Sequence, residues 1–107
     1  MEVLNKMRKN GVDIKNEDIV RICEKYGIKE LSVFGSSIRD DFREDSDVDF
    51  LVTFMENSKL TLFDIVDLKD DFISILDREV DIVEKEALRN PIRKKIILST
   101  AEVIYAV

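Results

Sequence analysis

Asp47 and Asp49 stand two residues apart at the head of a strand-like run, Val48-Asp49-Phe50-Leu51-Val52-Thr53-Phe54. Alternation along a strand turns both carboxylates to one face. Two like charges held that close are costly unless a divalent cation sits between them. Upstream, Gly35-Ser36 directly follows the apolar run Leu31-Ser32-Val33-Phe34, where a strand should turn into a helix. Backbone N–H groups at such a turn can point at a phosphate, and glycine lets the chain approach closely. A third acid, Asp81, interrupts the β-branched run Glu79-Val80-Asp81-Ile82-Val83. An unpaired charge is expensive to bury, so Asp81 either faces solvent on an edge strand or serves the site. A phosphate cradle with paired carboxylates points to metal-dependent chemistry on a nucleoside triphosphate.

Gly-Ser, ten intervening residues, then Asp-x-Asp resembles the signature of the DNA polymerase β-like nucleotidyltransferases. The compact Gly-Ser-x-x-Arg with Ser-Asp-x-Asp resembles their minimal nucleotidyltransferase branch. Gly35, Ser36, Arg39, Ser46, Asp47 and Asp49 fall on that pattern. Two positions depart from it: Ile38 stands where a small residue is usual, and Asp40 where glycine is. The resemblance implies that Asp47, Asp49 and Asp81 are the catalytic carboxylates and metal ligands, holding two Mg²⁺ ions, with Mn²⁺ as the alternative. It gives Gly35, Ser36 and Arg39 to the nucleotide, ATP, and makes Asp81 the ligand of the acceptor-side ion or the base for the acceptor hydroxyl. Attack at the α-phosphorus would transfer AMP and release pyrophosphate.

The acceptor follows from the same resemblance. Larger relatives carry a further domain for it, whereas minimal members pair with a small helical HEPN protein, an RNase toxin, and adenylylate a tyrosine on it. The expectation is therefore an AMP-transferring antitoxin with a HEPN-type toxin as partner. Two alternatives remain: a small-molecule nucleotidyltransferase working with a separate substrate-binding subunit, and a non-catalytic antitoxin that neutralises by binding.

Composition narrows the classes. The chain has 107 residues and a net charge of -6, which argues against sequence-independent nucleic-acid binding. It contains no histidine, so a metal must be held by carboxylates, which favours Mg²⁺ or Mn²⁺ over zinc. Asp45, Asp47, Asp49 and Glu56 mimic ligand positions of an EF-hand loop, but Phe50 occupies the place where that loop needs glycine. One cysteine, no signal peptide and no apolar run of about 20 residues predict a cytoplasmic protein without a membrane span.

The elements that must position these groups read as an α+β fold over a single domain, residues 1–107, with a helical N-terminal segment, residues 1–27. A short helix carries Leu4 and Met7; a second, capped by Asn16, buries Ile19, Ile22, Cys23 and Tyr26 and stops at Gly27. Residues 37–42 form a short helix with Arg39 and Arg43 on one face. Thr61 and Asp64 make a capping box for a helix with the apolar stripe Ile65, Leu68, Phe72 and Ile75; its acids Asp64, Asp67, Asp70 and Asp71 read as a solvated face. Asn90-Pro91 starts a last helix with Ile92 and Ile96 as its apolar seam and a basic cluster, Arg93-Lys94-Lys95. Residues 102–107 close the chain as an edge strand. The expected architecture is the polymerase β palm-like one: a mixed sheet, helices packed on one face and the acids on the other.

Overall fold

A computed structural model describes residues 2–35 and 46–107. The expected helix over residues 37–42, with Ser36, Arg39 and Arg43, lies outside them. Chain order is α1 (Glu2–Lys9), α2 (Asn16–Tyr26), β1 (Ile28–Phe34), β2 (Val48–Phe54), α3 (Leu62–Leu76), β3 (Val80–Glu84), a 3₁₀ turn (Lys85–Ala87), α4 (Pro91–Thr100) and β4 (Glu102–Ala106). The sheet order is β3-β2-β1-β4. β1 pairs antiparallel with β2 and β4, while β2 and β3 run parallel. A parallel pair needs a crossover, and α3 supplies it.

Strand alternation separates two faces. Leu31, Val33, Phe50, Val52 and Val80 bury one face against Met7, Ile19, Ile22, Leu68 and Phe72 of α1, α2 and α3. Phe50 and Phe72 stack with centroids 4.4 Å apart. The other face carries Phe34 and Leu51, which pack with Leu88 and Ile97. α4 therefore covers part of the face on which the acids lie, a refinement of the expected arrangement.

The local signals act as expected with three corrections. Asn16 is the first residue of α2 and Lys15 the cap, with no side-chain hydrogen bond, because Asn16 itself takes helical backbone geometry. In α4 the cap is as read: Asn90 accepts from the N–H groups of Ile92 and Arg93. The seam is not, since Ile92 is 73% and Ile96 58% exposed and Ile97 is the buried residue. The roll of α4 follows from Leu88, which is buried beside Ile97 and fixes which stripe meets Phe34 and Leu51.

The third correction concerns Asp71, which is not merely solvated. The Tyr26 hydroxyl donates to it at 2.6 Å and the Lys25 ammonium at 2.9 Å, tying α2 to α3. The Tyr26 hydroxyl holds the Asp71 carboxyl below its usual range against the opposing pull of burial, with Lys25 adding to the depression. Burial first, and Asp71 second, push the Tyr26 phenol up to about 12. Burial alone pushes the Cys23 thiol up to about 12, as an inert core thiol requires. A capping box at Thr61 and Asp64 starts α3, and Gly27, at φ 65, ends α2.

A carboxylate depressed on folding contributes stability above its unfolded pKa and loses that contribution as pH falls through the folded value. Tyr26→Phe should therefore destabilise the protein by about 1 kcal/mol at neutral pH. In urea unfolding the difference from wild type should shrink below about pH 4. A constant difference down to strong acid would mean that Tyr26 stabilises through packing alone.

Candidate active site

β1 ends at Phe34, whose partner across the antiparallel ladder is Asp49. The next residue, Gly35, has φ +78, a region that side chains rarely occupy. A Cβ built there would collide with Oδ2 of Asp49 and lie 3.3 Å from its Cγ. The sequence gives Gly35 to the phosphate; the structure adds a nearer reason for glycine, because only a residue without a side chain leaves room for the Asp49 carboxylate.

On the other side of β2, Asp49 is the register partner of Asp81 in β3. Facing partners on adjacent parallel strands point to the same side of the sheet, at a strand spacing of about 5 Å. At that distance two carboxylates repel by roughly 1 kcal/mol in water and roughly 3 kcal/mol at an effective dielectric of 20. A backbone hydrogen bond of 3.0 Å from Val48 N–H to the Glu79 carbonyl fixes this end of the pair. Asp49 is half-buried and Asp81 exposed. Asp81 thus lies on an edge strand and beside Asp49 at once, so the two readings of it from sequence are compatible.

Asp47 is exposed, one residue before β2 begins, and Ser46 before it is half-buried. Among the described residues, no three acidic or thiol side chains are gathered tightly enough to hold a metal ion by themselves. Mg²⁺ does not require such a cage, since it is commonly held by one or two carboxylates, waters and substrate phosphates. The donors fit that ion: hard oxygens on Asp49 and Asp81, Asp47 two residues from Asp49, and a glycine cradle that a Cβ would fill. Ser36 and Arg39, expected to bind the nucleotide, lie outside the described residues.

One feature has no counterpart in the sequence reading. An open groove of about 440 Å³ runs from Asp81 past Glu84, with Leu62 and Ile65 of α3 and Leu88 and Arg93 also lining it. Leu62 is 83% exposed. Arg93, read as part of a basic cluster, is thereby placed in the same groove as Asp81. Its signal in the sequence is slight: one apolar residue, Leu62, directly after the α3 cap and outside the apolar stripe of that helix.

Residues 17–104 match the profile of the nucleotidyltransferase domain. The chain belongs to that family. The nucleotidyltransferase is 39% identical over 82 residues to the protein adenylyltransferase MntA of Thermococcus cleftensis, covering 77% of this chain and 78% of that protein. A solved structure of a protein assigned to the minimal nucleotidyltransferases is 37% identical, with a TM-score of 0.67 over 81% of this chain and 86% of the other. The fold also matches a solved complex of the tri-AMPylated HEPN toxin of Shewanella oneidensis with an MNT antitoxin. That TM-score is 0.63 at 16% identity, over 94% of this chain and 73% of that one. The family read from the Gly-Ser and Asp-x-Asp spacing is borne out.

The Gly35 contact yields a double-mutant cycle. Gly35→Ala should destabilise the nucleotidyltransferase by about 1–3 kcal/mol, from the left-handed backbone and the collision with Asp49. Asp49→Ala in that background should recover the collision share and leave the backbone share. Thermal or urea unfolding of the four proteins reads the coupling; strictly additive effects would show that Gly35 is needed for its backbone alone.

Proposed function

We propose that this nucleotidyltransferase transfers AMP from ATP to a hydroxyl, a tyrosine, on a HEPN-type partner protein and acts as its antitoxin. The observation that carries the reading is the register of Asp49 beside Asp81 at the end of β1 where Gly35 turns the chain. It is supported by the likeness to a protein named as an adenylyltransferase and by the fold shared with an antitoxin in complex with an AMPylated toxin.

Gly35, Ser36 and Arg39 bind the triphosphate, with Asp47 and Asp49 beneath its α-phosphate. Asp81, on the open side of Asp49, orients the acceptor hydroxyl. The acceptor oxygen bonds to the α-phosphorus, the bond from that phosphorus to the α,β-bridging oxygen breaks, and pyrophosphate leaves. The hydroxyl proton passes to Asp81 or to a water beside it. Divalent ions held by Asp47, Asp49 and Asp81 would supply the charge neutralisation and hydroxyl activation that a histidine-free site otherwise lacks.

Mg²⁺ with ATP should raise the melting temperature, since a ligand that binds only the folded state stabilises it. Asp81→Asn should raise the melting temperature of the free protein by relieving repulsion with Asp49. It should keep ATP affinity within a few-fold and slow the transfer of labelled AMP to a co-purified HEPN protein by ~10²-fold or more. Calorimetry and radiolabel transfer separate the two effects. Transfer by Asp81→Asn at the wild-type rate would reduce Asp81 to an edge-strand acid. A wild type that labels no protein yet silences the toxin would replace the enzyme with a binder.

A further inference from the structure

β3 lies at the edge of the sheet, hydrogen-bonded to β2 and, among the described residues, to no other strand. Residues 81–84 are consecutive and therefore alternate between the two faces, yet all four line the same groove. With β3 outermost in the sheet, a groove lined by four consecutive residues of it follows that edge. Its length along these residues is about 13 Å, at the rise of an extended chain. Leu62 and Ile65 wall it on one side and Leu88 and Arg93 on the other, so apolar side chains flank a row of edge N–H and C=O groups.

An apolar, unpaired edge is normally a hazard that proteins blunt with charge. On the strand itself the charges are Asp81 and Glu84, with Arg93 on the wall beside them; the two acids would set acid against acid if a second copy paired through the same edge. The same two acids attract a segment with basic residues at its ends. Asp81 stands at the end of the groove nearest Asp49, where an incoming side chain meets the proposed chemistry.

We propose that the open edge of β3 receives an extended, basic-flanked segment of the acceptor protein, which adds as a further strand and presents its hydroxyl side chain to Asp81. This rests on the reading of Asp81 as the acceptor-side carboxylate. Backbone pairing supplies the affinity, and the apolar walls around Leu62 select the flanking side chains. The sheet itself is then the element that holds a polypeptide acceptor.

The probe is a fluorescein-labelled heptapeptide of valines around one tyrosine with a lysine at each end, titrated with the whole protein and read by fluorescence anisotropy. Wild type should bind it saturably. Methylating the backbone nitrogens of the peptide should weaken binding by roughly tenfold or more, through lost ladder hydrogen bonds. Leu62→Gln, on a side chain too exposed to matter for folding, should weaken it by about the same factor, while Val103→Gln on β4 should leave it unchanged. No saturable binding up to ~1 mM, binding indifferent to methylation and to Leu62→Gln, or loss with Val103→Gln would each overturn the proposal. Light scattering that shows a wild-type dimer broken by Leu62→Gln would also overturn it, giving the edge to a second copy. Adding ATP and Mg²⁺ separates this proposal from the transfer reading. Methylation-sensitive binding with no AMP on the tyrosine overturns transfer and leaves the groove standing. AMP transfer to a HEPN protein undiminished by Leu62→Gln overturns the groove and leaves transfer standing.

Discussion

The parallel pairing of β2 with β3 is the constraint on which the site depends. Its register sets Val48 against Val80, Asp49 against Asp81 and Phe50 against Ile82. A slip of one residue would exchange the faces of a strand. Asp81 would then enter the core beneath α3, and Val80 or Ile82, according to the direction of the slip, would take its place beside Asp49. The register is therefore held by burial: Val48, Phe50 and Val80 are almost wholly inaccessible, and Phe50 is stacked on Phe72. Apolar packing on one face places the carboxylates on the other.

That division explains why an acidic site can stand in so small a sheet. Each acid is kept at a strand end or edge, where water and ligands share the cost of its charge, while the neighbouring positions in the same strand are committed to the core. Gly35 is the one residue that belongs to both requirements. It ends the central strand in a backbone conformation suited to glycine, and its missing Cβ is the space that the Asp49 carboxylate fills. In the sequence, a glycine read for the approach of a phosphate and one required by packing against the acid look the same; the packing is what the structure shows.

Away from the site, polar contacts fasten the helical layer. Tyr26 and Lys25 of α2 converge on Asp71 of α3, and this join ties α2 to the crossover helix that brings β3 beside β2. α4 is held more lightly: Ile97 is its one buried residue, and Ile92 and Ile96 remain exposed. Of the exposed apolar side chains on α3 and α4, Leu62 of α3 borders the groove beside Asp81.

By itself the sequence determined whatever depends on neighbours along the chain. The Thr61 and Asn90 caps, the stop at Gly27, the stripe Ile19, Ile22, Cys23 and Tyr26, and the strand bearing Asp49 are written in spacings of two to four residues, the distances over which helices and strands repeat. The Gly-Ser and Asp-x-Asp spacing likewise identified the family. What only the tertiary structure decided involves partners far apart in the chain. Asp81 beside Asp49 requires the β2–β3 register, Asp71 beneath Tyr26 requires the packing of α2 on α3, and the seam of α4 shifts to Ile97 because Leu88 orients the helix. Periodicity states that a helix has an apolar face or that a strand carries an acid. Which other element that face or acid meets is set by the three-dimensional packing of the core, and no local pattern encodes it.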